Sequence, residues 1–307
     1  MVPYAIRRVA ALVPTLFLIV TASFFIVRLA PGGPFDQEQR LPAQVKANLD
    51  RVYGLDQPMV FQYVKYLKGL ARGDFGPSLK QPDFSVTELI YQGLPVSSAL
   101  GAAALLLAVL AGIPLGLAAA LRRQTVVDYG LGALVVLGIA LPSFVTGPTL
   151  ALLFGVYLHW LPVAGWEAAA PRYFVLPVLT LAFPMIAAVA RLTRASLLDV
   201  FQANFIRTAR ARGLGPWRIL WGHALRPALL PVVSYLGPAT AFVVTGSLVV
   251  ETVFGLPGTG RYLVQGAINR DYSLVMGMVI VYGTLVLLFN LLADLTYAGL
   301  DPRARHE

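Results

Sequence analysis

Five arginines stand close together in the stretch RTARARGLGPWRILWGHALRP, at Arg207, Arg210, Arg212, Arg218 and Arg226. A guanidinium presents a planar fork of donors that meets carboxylate or phosphate bidentately, so the cluster has the chemistry to hold an anionic surface. Just beyond it, Ser234, Thr240, Thr245 and Ser247 punctuate an apolar run that also holds Gly237, Pro238 and Gly246. Such hydroxyls either line a path for a polar solute or bond a neighbouring helix, and spacing leaves both open. Motifs for bond-making chemistry are missing. The chain has no G-x-x-x-x-G-K-[ST] phosphate loop, no H-E-x-x-H zinc pair, no G-x-S-x-G elbow and no cysteine, and its three histidines, His159, His223 and His306, lie far apart. It is expected to be no enzyme and to hold no metal. LPGTG at 256–260 has the form of a sortase signal, but the charged RYLVQGAINRDY follows it, and a turn into a short helix is the expectation.

A membrane-embedded scaffold must position these groups. Apolar residues make up 57% of the 307-residue chain and charged residues 13%, with a mean hydropathy of +0.71, outside the range of soluble domains. A bilayer core takes about 20 apolar residues per helix, and six runs qualify: 9–29, 96–121, 131–158, 174–190, 228–250 and 274–295. Pro142 and Pro148 in the third run, and Pro177 and Pro184 in the fourth, predict bends. The first run follows Arg7 and Arg8 as a secretory signal would. It exceeds a signal's apolar core and lacks a small-x-small cleavage site, so it reads as a retained span.

Cationic residues in the short flanks set orientation. Thirteen arginines gather on one side, at positions 7, 8, 122, 123, 191, 194, 207, 210, 212, 218, 226, 303 and 305, against Arg172, Arg261 and Arg270 on the other. Both termini and the arginine-rich stretch are therefore expected in the cytoplasm. The net charge of +9 is dispersed among the spans rather than gathered on a soluble face, which makes the lipid bilayer, not nucleic acid, the expected partner. Carboxylates inside a span mark ion or proton paths. Only Asp294 and Glu251 come near, each at the end of a run, and both read as interfacial or helix-end residues. Energy for moving a solute would enter from outside the chain.

The cytoplasmic segment 191–227 reads as two amphipathic helices. Leu197, Leu198, Phe201 and Phe205 form one apolar stripe, which Gly213 can end; Pro216 opens a second helix, with Trp217, Leu220, Trp221, Ala224 and Leu225 at helical spacing. Two uses fit. The pair can lie on the membrane with its arginines towards anionic headgroups, or dock into a soluble partner with Ala209 and Gly213 allowing close approach. The loop 31–95 holds all four lysines and two further helical stripes, Val45, Leu49 and Val52, then Tyr63, Tyr66, Leu67 and Leu70. It reads either as a cap on the membrane surface or as a docking surface for an external partner.

At segment 207–226 the chain resembles the Glu-Ala-Ala loop of permease subunits in ATP-binding-cassette importers, where that triplet precedes a glycine and an Ile-x-Leu-Pro follows. Aligned on Gly213, the triplet is Arg207, Thr208, Ala209, and His223, Ala224, Leu225, Arg226 stand at the end; Ala209, Gly213 and Leu225 keep the pattern. RTARARGLG with HALRPALLPV is similar to the loop of dipeptide and oligopeptide permeases, as are YGLDQP, GDFGPSL, ETVFGLPGTGR and the terminal DPR.

The resemblance implies an all-α polytopic membrane protein of six helices with the type I importer permease fold, in a bacterial or archaeal cytoplasmic membrane. Its implied partners are a second homologous permease, two cytoplasmic ATPase subunits and an external substrate-binding protein facing 31–95. ATP and Mg would sit on the ATPases, with no cofactor in this chain. By position, the ATPase contact would centre on Arg207, Thr208, Ala209, Arg210, Gly213, Leu214 and Gly215, and the fifth span, with Ser234, Thr240, Thr245 and Ser247, would line the path. Short peptides are the implied cargo. The same architecture importing nickel, a glycoside or another small solute is an alternative, as is a stand-alone ion-coupled carrier.

Overall fold

The computed structural model describes residues 2–29, 33–35, 42–167, 170–244 and 248–300. Among them every regular element is helical. The apolar helix α1 (Val2–Leu29) leads to a cap of two short helices, α2 (Ala43–Tyr53) and α3 (Met59–Leu70). α4 (Val86–Leu121) has 36 residues and starts ahead of its apolar run, because a capping box begins it. Ser85 Oγ accepts from the Glu88 amide at 3.2 Å, and Glu88 accepts from the Ser85 amide at 2.7 Å, satisfying helix-end donors that otherwise have no partner.

The run 131–158 is two helices rather than one. α5 (Val126–Ala140) and Ser143–Tyr157 meet at 107°; the second begins as α6 (Ser143–Leu150) and continues as a π-helical segment, Ala151–Tyr157. Pro142 explains the break: it donates no amide hydrogen and pushes Leu141 into an extended conformation, ψ 114°. α7 (Arg172–Gln202) follows, then an arm of α8 (Asn204–Ala211), α9 (Pro216–Ile219), a π turn (Leu220–Ala224) and α10 (Leu225–Ala228). The chain returns through α11 (Leu230–Val244), α12 (Leu248–Val253), α13 (Thr259–Ile268) and α14 (Tyr272–Leu300). α1, α4, α7 and α14 are each long and apolar enough to cross a membrane, the bent α5–α6 unit can count as a fifth crossing, and α11 is a shorter apolar helix.

The broadest contact in the bundle is α4 against α7. Small residues make it possible: a side chain at Gly116 would put its Cβ 2.7 Å from Thr193 Cβ, and one at Gly112 would put it 2.8 Å from Val189. α5 and α11 also pack on α7, α14 packs on α11, and α1 lies on α14. Arg8 pairs with Asp294 at 2.8 Å where α1 and α14 meet. At the opposite end the cap leans on α1. Tyr63 and Tyr66 stack among Phe24 and Phe25 with centroids 5.1–5.9 Å apart, and Thr21 Oγ1 lies 2.7 Å from Tyr63 Oη. The α3 stripe of Tyr63, Tyr66, Leu67 and Leu70 is half-buried, but Val45 and Val52 of α2 are exposed and only Leu49 of that stripe turns inward.

Candidate functional site

The arm is built on an apolar core of its own. Ile206, Ala209, Ile219, Leu220, Ala224 and Ala228 are buried together with Leu197 of α7 and Ala120 of α4, and Leu198, Phe201 and Leu214 pack around them. The helix expected to run from Leu197 to Gly213 is broken at Ala203, whose ψ of 148° is extended. α7 therefore stops at Gln202 and α8 turns away, placing Phe205 in the open at 48% exposure. The second stripe is also rotated from expectation. Leu220 and Ala224 are buried, but Trp217 and Trp221 are 65% and 62% exposed, and Ile219 fills the core instead.

α8 ends in a Schellman motif. The Leu214 amide donates to Ala209 O at 3.3 Å and the Gly213 amide to Arg210 O at 2.9 Å, with Gly213 at φ 77°, the left-handed conformation that glycine adopts without strain. The seven expected contact residues thereby divide into two sets. Ala209 and Leu214 turn into the arm's core, while Arg207, Thr208, Arg210, Gly213 and Gly215 are exposed. Space is open beside Gly213 and Gly215. Arginines interleaved with Phe205, Trp217 and Trp221 make a surface with the composition of protein interfaces.

An ion pair that the sequence reading missed fixes the root of the arm. Asp128, buried at the start of α5, accepts from Arg194 of α7 through Nε and, at 2.8 Å, through Nη2; it also accepts from the Gln124 amide at 2.9 Å. A bidentate pair between two helices holds their relative rotation.

Further along α7, a cavity of about 620 Å³ opens where α5 breaks. Leu141, Pro142 and Ser143 border it from the elbow, Thr180, Pro184 and Met185 from α7, and Tyr235, Pro238 and Phe242 from α11. Three prolines converge here, and each removes the amide that would bond the carbonyl four residues earlier, at Gly138, Thr180 and Ser234. Irregular backbone at membrane depth is tolerated where it is buried in protein or lines a cavity. Of the hydroxyls singled out in the fifth run, Ser234 and Thr240 do not border this space. Ser234 Oγ donates to Leu230 O at 3.1 Å and Thr240 Oγ1 to Leu236 O at 2.6 Å, each within its own helix. Thr245 and Ser247 lie outside the described residues.

Buried carboxylates fix the opposite end. Glu251, with no exposed surface, accepts from Ser97 Oγ of α4 at 2.7 Å and from the Gly260 and Arg261 amides at 2.8 and 3.3 Å. It thus caps the first turn of α13, so LPGTG is the turn into a helix that its composition predicts. Asp271 accepts from Ser78 Oγ, from the Leu79 and Lys80 amides at 3.1 and 3.2 Å, and from the Leu274 amide at 3.1 Å. This ties the chain ahead of α4 to the start of α14. In the cap itself, burial pushes the Tyr66 phenol above its ordinary pKa, with Arg28 opposing.

Comparison with known proteins adds the wider context. Residues 112–306 match the family described as binding-protein-dependent transport system inner membrane component, a stretch that includes the elbow, α7 and the arm. The chain is 49% identical over 306 residues to the oligopeptide transport system permease protein OppB of Escherichia coli (strain K12), covering 100% of both chains. It is 42% identical over 305 residues to the dipeptide transport system permease protein DppB of Bacillus subtilis (strain 168), covering 99% of this chain and 98% of that one. A chain in an inward-facing structure of the MetNI methionine ABC transporter shares the fold at 19% identity and a TM-score of 0.55, over 69% of this chain and 96% of that chain.

Proposed function

Since the chain belongs to the family of binding-protein-dependent transport system inner membrane components, we propose that it is the membrane-spanning permease subunit of an ATP-driven importer of short peptides. It assembles with a second homologous permease and two ATPase subunits, contacts an ATPase through its arm, and receives cargo from a substrate-binding protein at the cap. ATP and Mg act on the ATPases, and this chain performs no catalysis. Both termini and the arm face the cytoplasm, as the arginine distribution supports.

The observation that carries this reading is the arm's division into a buried and an exposed face. Arg207 and Arg210 stand exposed, while Ala209 and Leu214 fasten the same short helix to α7 and α4. A push on the exposed face is therefore delivered to α7. Between Gln202 and Pro184 that helix covers about 27 Å at 1.5 Å per residue, which reaches from the arm to the elbow cavity. The cavity is mainly apolar, and the carbonyls of its lining residues Gly138 and Thr180, which Pro142 and Pro184 leave without their helical donors, offer acceptors to peptide N–H groups. Such a lining suits cargo of varied side chains and a constant main chain. End-to-end likeness to oligopeptide and dipeptide permeases supports the cargo class.

The test is uptake into proteoliposomes holding the complete complex, with peptide-loaded binding protein outside and ATP inside. Labelled short peptides should accumulate only with ATP. Accumulation of nickel or a glycoside in their place, or uptake that persists without ATP under an ion gradient, overturns the proposal.

A further inference from the structure

A second cavity, of about 640 Å³, opens beside the end of α1 between α2, α3 and residues 74–77. Arg28, Lys65, Lys68 and Arg72 line it, against one acidic lining residue among the described residues, Asp74. Ion pairs among the described residues lie elsewhere and leave Lys65, Lys68 and Arg72 without a carboxylate. Arg28 is held in place: Nε donates to Gln62 Oε1 at 3.1 Å and the guanidinium stacks 3.8 Å above the Phe24 ring. Its fork has further N–H groups to offer. Tyr66, also on the lining, keeps a buried hydroxyl with no hydrogen-bond partner.

The same face of α3 is apolar towards its start. Phe61 is 67% and Val64 42% exposed, and both border the cavity in helical register with Lys65, Lys68 and Arg72. Depth distinguishes this face from an ordinary solvated one. Tyr63 bonds Thr21, which lies about 12 Å down α1 from Leu29 at 1.5 Å per residue, within the stretch long and apolar enough to cross a membrane. Tyr63 of α3 therefore reaches alongside apolar helix, while Gln62 on the same turn bonds Arg28 at that helix's end. Free phosphate would have no use for Phe61 and Val64, whereas a lipid uses both halves.

We propose that this cavity binds the phosphodiester headgroup of an anionic phospholipid, with Phe61 and Val64 against its acyl chains. The complex in detergent is titrated with phosphatidylglycerol and bound lipid is read by native mass spectrometry, with inorganic phosphate and glycerol 1-phosphate as competitors. A basic residue near a lipid surface contributes about fivefold in affinity, so combined Lys65→Gln, Lys68→Gln and Arg72→Gln should weaken binding about 100-fold. Controls with the same charge loss at residues that do not line the cavity, Arg51→Gln, Arg172→Gln and Arg270→Gln, should leave it unchanged, and Phe61→Ser should weaken the lipid without altering the competitors.

Three results overturn the proposal. One is equal lipid binding in both triple variants. Another is competition by glycerol 1-phosphate at the lipid's own affinity, which would make this a soluble-phosphate site. The third is a pocket variant that loses only its association with the substrate-binding protein, which would make the cavity a protein dock.

Discussion

Replacing Gly116 by alanine tests whether α4 and α7 move as one body. The added Cβ would lie 2.7 Å from Thr193 Cβ and closer still to the carbonyl oxygen of Ala190. Carbon pairs settle at about 3.5–4.0 Å, so the helices must part by about 0.8 Å or more, and the obstacle is backbone that cannot rotate away. Overpacking of this kind costs about 1–3 kcal/mol, and the alanine's better helix propensity returns up to about 1 kcal/mol. With that return the net loss reaches up to about 2 kcal/mol, and at about 2–4 °C per kcal/mol it lowers the melting temperature by up to about 4–8 °C. Gly130 of α5 is the internal control, because nothing lies within 4 Å of a Cβ built there, and Gly130→Ala should hold or slightly raise the melting temperature. The assay is thermal unfolding of the purified complex, with peptide uptake per ATP hydrolysed measured alongside. Thr193 lies one turn before Leu197, which packs in the arm's core, so Gly116→Ala should also lower that ratio. Equal melting temperatures and equal coupling for the two variants would refute the claim that a close small-residue seam joins these helices.

Other expectations follow from the buried charges. Glu251→Ala strands the donors of Ser97, Gly260 and Arg261; at about 1–3 kcal/mol for each of the buried ones, the loss is about 3–5 kcal/mol, and Glu251→Gln, which keeps one acceptor oxygen, should cost about half as much in the same melt. Asp128→Asn and Arg194→Gln should each lower the melting temperature, with the double variant no worse than the poorer single one, since either change removes the same pair; additive losses would mean the two residues act separately. Ser234→Ala and Thr240→Ala should leave uptake within about twofold, because each hydroxyl bonds only its own helix; a tenfold loss in either would return these hydroxyls to the path.

The long elements were legible in the sequence because a helix that crosses lipid must be apolar all round, and that composition is unmistakable in α1, α4, α7 and α14. Gly213 was legible for a local reason, since a Schellman turn needs a left-handed residue. Contact geometry was not legible. Periodicity identified an apolar stripe through Trp217 and Trp221 but not which way it faces, and Ile219 took the core while both tryptophans stayed outside. The break at Ala203 carries neither glycine nor proline and comes from how the arm packs on α7. Pro142 signalled a bend, though not one of 107°. Glu251 sat at the end of an apolar run and read as interfacial; its burial depends on Ser97, 154 residues away. The cavity's signal was present in Pro142, Pro184 and Pro238, but only the fold brings three separated prolines to one place.

The central claim, that partner ATPases drive transport through the exposed face of the arm, is tested most directly by reversing its charge. Arg207→Glu with Arg210→Glu alters two exposed side chains and leaves the buried Ala209 and Leu214 in place, so the variant should insert and melt as the parent does. Hydrogen bonds to charged groups are each worth about 1.5–3 kcal/mol, and losing two of them should reduce ATP-driven peptide uptake at least about 100-fold while loosening the ATPase subunits from the complex. An unchanged rate of uptake, with the ATPases still bound, would contradict the account.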